Sequence, residues 1–124
     1  MTSPEVVSKG PFQLWDHQTV FRGKWIEGRT VKFRTADGSE GIWESAHRTT
    51  KPSTAEVDGV TIVPILKKNG KKFIILVKQF RIPADRYTLE FPAGLVDANE
   101  TPAETAIREM KEETGYTTSK VLST

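Results

Sequence analysis

The stretch EFPAGLVDANETPAETAIREMKEETGY, residues 90–116, combines an apolar start, two glycines, a helix that begins with proline and six glutamates. Thr101, Pro102 and Glu104 mark the start of the helix, because threonine is a good N-cap, proline suits the first helical position and the glutamate can close a capping box. Gly115 marks its end, since glycine readily adopts the left-handed conformation that follows a last helical turn. The sequence therefore predicts one helix between Thr101 and Gly115.

The predicted helix separates its side chains by face. An apolar arc of roughly 100° is expected to pack on a sheet; it is formed by Ala103, Ala106, Ile107 and Met110. A neighbouring arc holds Glu109, Glu112 and Glu113, and the exposed remainder is predicted to hold Arg108, Lys111 and Glu104. Carboxylates three or four positions apart repel one another by a few tenths of a kcal/mol per pair. Two explanations stay open: a solvated helix rich in a good helix former, or a site for a hard divalent cation such as Mg²⁺.

The bulk properties are those of one soluble globular domain. The chain has 124 residues, of which 36% are hydrophobic and 27% charged. The 18 basic and 16 acidic residues are mixed along the chain, which gives no reason to expect a nucleic acid or an anionic membrane as partner. With no cysteine, disulfides, thiolate metal sites and a cysteine nucleophile are excluded. No stretch approaches the roughly 20 apolar residues of a membrane span, so we expect a cytoplasmic protein, with the nucleus as a second compartment open to it.

The N-terminal third predicts a β-meander. Residues 1–19 mix proline, glycine and polar residues, which favours an irregular arm. Residues 20–35 and 41–50 predict two strands that are joined by a turn at Asp37 and Gly38. His17 and His47 are single histidines, which we interpret as polar strand or loop residues.

The middle of the chain predicts buried strands. The apolar runs at residues 60–66 and 73–80 are too short and too β-branched for helices. Asn69 and Gly70 lie between them and suit a type I′ hairpin turn. A short strand at 87–91 precedes the helix, so the pattern predicts an α/β fold in which a mixed sheet carries one helix.

The spacing around the helix decides between the two explanations for its glutamates. Seven residues recur at fixed distances from one another: Gly94, Glu100, Arg108, Glu109, Glu112, Glu113 and Gly115. Chance would produce this set on the order of once in 10⁸ starting points. The pattern resembles the Nudix box, the loop-helix-loop catalytic motif of hydrolases that cleave a nucleoside diphosphate linked to another moiety. The resemblance implies a Nudix-type fold and a hydrolase.

The resemblance also implies roles for the box residues. Glu109, Glu112 and Glu113 match the glutamates that bind a divalent metal, usually Mg²⁺ with Mn²⁺ as an alternative. Ala93 matches the residue whose backbone carbonyl is a further ligand. Arg108, next to Glu112 and one turn from Glu104, matches the arginine that orients the acids by charge pairing, while Glu100 is interpreted as structural before catalytic.

Outside the box the chain is similar to the ADP-ribose or ADP-sugar pyrophosphatases, through the stretches GKWIEG, WESAHRTT, DGVTIVPIL, LVKQFR and LEFPAGL. In that subgroup, which forms homodimers, two tryptophans from different subunits sandwich the adenine, and Trp25 and Trp43 match them. Their alternative is ordinary packing on a core. Four further positions match substrate contacts: Glu44, Arg48, Arg81 and the backbone of Leu95. For Arg48 and Arg81, a surface salt bridge stays open as the alternative.

The resemblance implies three segments: an irregular arm at 1–19, a β-meander at 20–52 that serves dimerisation and adenine binding, and a Nudix domain at 57–124. We expect that domain to be incomplete at its C-terminal end, as a fragment of a longer enzyme or a truncated isoform, with the general base beyond residue 124. ADP-ribose, hydrolysed to AMP and ribose 5-phosphate, is the expected substrate. The alternatives are another nucleoside diphosphate derivative, or an inactive module that dimerises or binds nucleotide.

Overall fold

Two units make up the chain in the computed structural model, residues 1–50 and 51–124, and the structure describes residues 10–118 and 120–123. The first unit contains a three-stranded antiparallel sheet in the order β1-β2-β3. Its strands are β1 (Gln13–Arg22), β2 (Ile26–Arg34) and β3 (Glu40–Arg48).

The predicted first strand, residues 20–35, is wrong as a single element. The N–H of Gly23 donates to the carbonyl of Ile26 over 2.8 Å, and this tight turn ends β1 and begins β2. The prediction of an irregular arm is also wrong for residues 13–19, which lie in β1, where cross-strand bonds to β2 outweigh their low strand propensity. Residues 1–9 of that arm lie outside the described residues.

The turn that joins β2 to β3 is confirmed. Gly38 adopts a φ of 90°, which side chains disfavour and glycine tolerates. On the sheet, the carboxylate of Glu27 is only 3% exposed and is paired with Arg22 at 2.8 Å and with Arg29. A buried charge needs such partners.

Over residues 51–118 and 120–123, the second unit contains three antiparallel strand pairs and one α-helix. The pairs are β4 with β9, β5 with β6, and β7 with β8. The elements are β4 (Gly59–Thr61), β5 (Ile65–Lys68), β6 (Lys71–Ile74), β7 (Val77–Arg81), a 3₁₀ helix (Ile82–Ala84), β8 (Arg86–Glu90), β9 (Ala93–Leu95) and α1 (Pro102–Thr114).

Both long apolar runs are divided where the sequence predicts continuous strands. The run 60–66 breaks into β4 and β5 around Pro64, which has no N–H to donate to a ladder. The run 73–80 breaks between β6 and β7. Burial was predicted wrongly as well, because Ile65 and Ile74, which face each other across the β5-β6 pair, are 53% and 58% exposed. A two-stranded ribbon covers neither of its own faces.

The hairpin turn between β5 and β6 is confirmed. Asn69 and Gly70 have φ values of 52° and 72°, as a type I′ turn requires. The strand predicted at 87–91 is found as β8, one residue earlier. In contrast, β9 lies between the predicted strand at 87–91 and the helix, where the sequence predicts no further strand.

Helix α1 packs against β4 and β9, and several of the most buried side chains of the unit lie on the helix or directly beside β9. Met110 and Val96 are each 4% exposed, and Thr105 is fully buried. The predicted apolar face of the helix is confirmed at Met110, and the other three members of that face are partly buried. Arg108 was predicted on the exposed side, which is wrong, since its side chain is only 26% exposed.

Candidate active site

Both ends of α1 form as predicted. Thr101 accepts a hydrogen bond from the backbone N–H of Glu104, whose carboxylate accepts one from the N–H of Thr101 over 2.8 Å. The same backbone donor lowers the pKa of the Glu104 carboxyl. At the other end Gly115 has a φ of 75°, and its N–H donates to the carbonyl of Lys111. Glu104 is therefore part of the helix cap.

Arg108 is the centre of the site. Its Nε donates to one carboxylate oxygen of Glu100 over 2.7 Å, and its Nη2 donates to the other over 2.9 Å. Its Nη1 donates to Glu109 over 2.8 Å and to Glu112 over 3.4 Å. The predicted proximity to Glu112 is confirmed, but the side chain that clasps the guanidinium is Glu100, because Glu104 is engaged in the cap.

Glu100 is held as a permanent carboxylate. Hydrogen bonds from Arg108 above all, and then from Thr105, lower the pKa of Glu100 to about 2. In turn, Glu100 and Glu109 raise the pKa of Arg108. A paired, charge-assisted fork of this kind fixes the plane of a guanidinium, and with it the direction of the third nitrogen.

Glu109 lies against the backbone of β9. Its side chain is 14% exposed, and a Cβ placed on Gly94 would lie 1.9 Å from Glu109 Cδ. Any side chain at position 94 would therefore displace the carboxylate. Glycine at this position leaves room for the Glu109 side chain in the place where it lies.

The register of β9 turns part of its backbone towards the helix. Ile62 donates to Pro92 and Val96 donates to Asp58, so the residues that bond to β4 alternate along the strand. Ala93 and Leu95 are the residues in between, and their backbone N–H and C=O groups point away from β4. Accordingly, the N–H of Ala93 donates to Glu113 over 3.1 Å, and the carbonyl of Leu95 accepts from Arg108 over 3.0 Å.

The donor set fits a hard divalent cation. Within the described ranges, Glu109, Glu112 and Glu113 each use one carboxylate oxygen in a hydrogen bond, and the second oxygen of each has no hydrogen-bond partner. The carbonyl of Ala93 is also turned away from β4. Oxygen donors of these kinds are the ones that Mg²⁺ takes. As they stand, no three acidic or histidine side chains in residues 10–118 and 120–123 are gathered closely enough to hold an ion, so binding would require these side chains to turn.

Arg81 interacts electrostatically with Glu113, one of the candidate metal ligands. Its Nε donates to both carboxylate oxygens of Glu90, over 2.8 and 3.1 Å, and this pairing lowers the pKa of Glu90 to about 2. Glu90 and, more weakly, Glu113 raise the pKa of Arg81. Arg81 thus forms the surface salt bridge that the sequence left as an alternative, and it does so beside a candidate metal ligand.

The candidate adenine-binding residues lie in the first unit. Trp25 and Trp43 are 60% and 64% exposed, so neither packs on a core within its unit. The Nζ of Lys24 lies 4.7 Å from the ring centroid of Trp25. Along β3, Glu44 and Arg48 share one face of the strand and Trp43 has the other, because successive side chains alternate.

Two residues contribute to the site although the sequence did not predict a role for them. Thr105 was not singled out, although it is fully buried and donates to Glu100. Glu90 falls within the strand predicted at 87–91 and has no predicted role, although it binds Arg81. The signal for Thr105 is a polar residue between apolar helix positions. For Glu90 the sequence carries no signal, since its partner is set by the β7-β8 register.

A helix that carries several glutamates, packs on a glycine-containing strand and is organised by one arginine has the arrangement of a loop-helix-loop motif. The family model of the NUDIX domain matches residues 55–124, more than half of the 124 residues, and the chain belongs to the Nudix family. The resemblance seen in the box spacing is thereby confirmed, together with the α/β fold class.

The chain is similar to several proteins over most of its own length. A Caenorhabditis elegans protein with a nudix hydrolase name is 53% identical over 112 residues, which cover 90% of this chain and 50% of the relative. The mouse ADP-sugar pyrophosphatase is 36% identical over 110 residues, covering 88% of this chain and 50% of its own. The ADP-ribose pyrophosphatase of Saccharomyces cerevisiae is 47% identical over 102 residues, which cover 81% of this chain and 43% of that protein.

A solved structure agrees with the fold. The crystal structure of an ADP compounds hydrolase superposes with a TM-score of 0.65 at 25% identity, covering 92% of this chain and 56% of that chain. The chain spans about half the length of the curated relatives named above. Among the described residues, no helix is long and apolar enough to cross a membrane.

Proposed function

We propose that this chain carries the catalytic helix of a hydrolase that cleaves the diphosphate of ADP-ribose or a related ADP-sugar, with AMP and a sugar phosphate as products. The observation that carries the proposal is that Arg108 donates to Glu109 and Glu112 and the N–H of Ala93 donates to Glu113, while each glutamate keeps one unpaired carboxylate oxygen. The substrate class is supported by the names of the mouse and yeast relatives. In the reaction, water adds to one phosphorus atom, and the bond from that phosphorus to the bridging oxygen breaks.

The chain's own residues have distinct tasks in this proposal. Glu109, Glu112, Glu113 and the carbonyl of Ala93 hold the cation, which is Mg²⁺, with Mn²⁺ able to take the same oxygen donors. When bound, the cation supplies charge neutralisation of the diphosphate and acidification of water. Arg108 touches Glu109 and Glu112 and keeps them oriented.

Three side chains and one backbone N–H are assigned to polar contacts with the substrate. Arg81 presents a planar guanidinium, which suits paired bonds to diphosphate oxygens, and Glu90 holds it in place until the substrate competes for it. At Leu95 the carbonyl is taken by Arg108, so its N–H is the backbone group left for a substrate contact. Glu44 and Arg48 are further polar contacts.

The adenine is assigned to Trp25 and Trp43. Their rings are mostly exposed, and flat exposed rings suit base stacking. We propose that the two tryptophans belong to different subunits of a homodimer when they enclose one base. Light scattering tests this part, since a strictly monomeric protein that still binds adenine contradicts it.

A turnover assay with a substrate panel tests the proposal. ADP-ribose, ADP-sugars, a dinucleotide and a damaged nucleoside diphosphate are compared with and without Mg²⁺, and AMP is quantified by chromatography. We expect hydrolysis of ADP-ribose that requires Mg²⁺ and is lost in Glu112→Gln. If another substrate is faster by about tenfold or more, a difference of about 1.4 kcal/mol in transition-state stabilisation, the substrate assignment is wrong. If no substrate is hydrolysed with or without Mg²⁺, and Glu112→Gln leaves nucleotide binding unchanged, the protein is an inactive nucleotide-binding module.

A further inference from the structure

Thr105 is a polar residue at the most buried position of the helix. Its side chain is fully buried. A hydroxyl in such a place is costly unless it is hydrogen-bonded. Thr105 Oγ1 lies 2.9 Å from Glu100 Oε2 and 3.1 Å from the carbonyl of Thr101.

The hydroxyl has one proton for two acceptors. Threonines in helices often donate to the carbonyl four residues earlier, with no consequence beyond the helix. Here that carbonyl also accepts the backbone N–H of Thr105 over 3.0 Å. Glu100 is the shorter contact, and it is an ionised carboxylate, which makes the stronger hydrogen bond. The geometry therefore favours donation to Glu100.

Glu100 is the residue through which this bond acts on the site. Its Oε2 accepts from three donors: Thr105 at 2.9 Å, Arg108 at 2.9 Å and the N–H of Asp97 at 3.3 Å. Of the two side-chain donors, Thr105 is the fully buried one, whereas Arg108 is 26% exposed. Thr105 blocks rotation of the carboxylate about its last bond, and the two oxygens then match the fork of Arg108.

We propose that Thr105 is a positioning residue, which holds the Glu100 carboxylate in the plane that aligns Arg108 and, through Arg108 Nη1, Glu109. The chain of contacts runs from Thr105 to Glu100, from Glu100 to Arg108, and from Arg108 to Glu109, with a shortest distance of 2.7 to 2.9 Å at each step. The effect of Thr105 on catalysis rests on the proposed function, whereas its effect on the alignment of Arg108 does not.

Two substitutions separate the hydroxyl from the methyl group of Thr105. Thr105→Val keeps the shape and removes the donor, whereas Thr105→Ser keeps the donor and removes a methyl. Thr114→Val is a matched control on the same helix, because the Thr114 hydroxyl donates to the carbonyl of Met110 and to no carboxylate. If Thr105→Val does not fold, Thr105→Ala removes the same hydroxyl in a smaller side chain.

The first measurement is the solvent exchange of the Arg108 Nε–H by NMR, in protein labelled with ¹⁵N-arginine. We expect exchange to speed up by about threefold to tenfold in Thr105→Val and to stay within about twofold of wild type in Thr105→Ser and Thr114→Val. Unchanged exchange in Thr105→Val contradicts the proposal. Equal acceleration in Thr105→Ser also contradicts it, because the methyl group would then be responsible.

The second measurement is Mn²⁺ binding, followed by the EPR signal of the free ion. Removing a group that orients metal ligands typically weakens metal binding by about 10- to 100-fold. Thr105 acts on Arg108 only through Glu100, so for Thr105→Val we expect a smaller loss of Mn²⁺ affinity, about threefold to tenfold. Normal Mn²⁺ binding by Thr105→Val, despite faster Arg108 exchange, overturns the link to Glu109. If wild type neither binds Mn²⁺ nor hydrolyses ADP-ribose, the proposed function fails, and the exchange measurement still decides whether Thr105 aligns Arg108.

Discussion

Arg108 clasps Glu100 through Nε and Nη2, with one donor on each carboxylate oxygen at 2.7 and 2.9 Å. Eight positions separate the two residues, and the N-cap and first turns of α1 lie between them. The pair therefore ties the loop after β9 to the middle of the helix. It also leaves Arg108 Nη1 to donate to Glu109 and Glu112. The same ion pair therefore connects the loop to the helix and orients Arg108 towards these two glutamates.

Replacing Arg108 by lysine keeps the charge and removes the fork. A lysine ammonium is a single point donor and cannot reproduce two parallel bonds to Glu100 while contacting Glu109. We expect turnover to fall by about 10- to 100-fold in Arg108→Lys, as for other residues that orient metal ligands. Steady-state kinetics at saturating Mg²⁺ provide the measurement. The control is Arg86→Lys, since Arg86 donates from the surface to the carbonyl of Ala84; equal activity of both variants would contradict the role of the fork.

Adding a methyl group at Gly94 displaces Glu109. The new Cβ would lie 1.9 Å from Glu109 Cδ, far inside van der Waals contact, so the carboxylate or the strand must move. We expect Gly94→Ala to weaken Mn²⁺ binding by about 10-fold or more, measured by titration calorimetry. Gly28→Ala serves as control, because a Cβ there would meet its nearest atom at 3.6 Å. Wild-type metal affinity in Gly94→Ala would show that Glu109 is not a ligand in this position.

The Arg81–Glu90 pair makes stability depend on pH in the acid range. Pairing with Arg81 lowers the pKa of Glu90 from 4.5 to about 2, so the folded state holds the proton less tightly than the unfolded state. The stabilisation is present above about pH 4.5 and is lost as the pH falls towards 2. We expect Glu90→Gln to lower the urea midpoint at pH 7 and to differ less from wild type at pH 3. Glu56→Gln, an exposed site, is the control, and a Glu90→Gln effect that does not shrink with falling pH would contradict the assignment.

Removing the ring of Trp43 weakens adenine binding if this side chain stacks on the base. A base–aromatic stack is worth about 1–3 kcal/mol, which corresponds to a rise in KM of about 5- to 150-fold. We expect Trp43→Ala to raise the KM for ADP-ribose while kcat changes little. Trp15→Ala is the control, because Trp15 lies on β1 beside Arg34. An unchanged KM in Trp43→Ala would leave this ring without a role in binding.

Local signals predicted those parts of the fold that depend on neighbouring residues. The Thr101 cap, the Gly115 end and the Asn69-Gly70 turn all form as predicted, because each is decided within about four residues by backbone conformation and hydrogen bonding. The spacing of the box residues also sufficed to recognise the family. Strand limits were predicted poorly, since an apolar run does not show where Pro64 or the turn at Gly23 interrupts a ladder.

The sequence by itself determined the helix, its ends and the arc that carries Glu109, Glu112 and Glu113, since helical geometry follows from spacing alone. Only the tertiary structure decided which acid pairs with Arg108. The loop after β9 brings Glu100 and the Leu95 carbonyl to the guanidinium, while the cap withdraws Glu104. The same packing buries Thr105 and leaves room beside Gly94 for Glu109. Long side chains choose partners by proximity in space, and that proximity is set by how strand and helix pack.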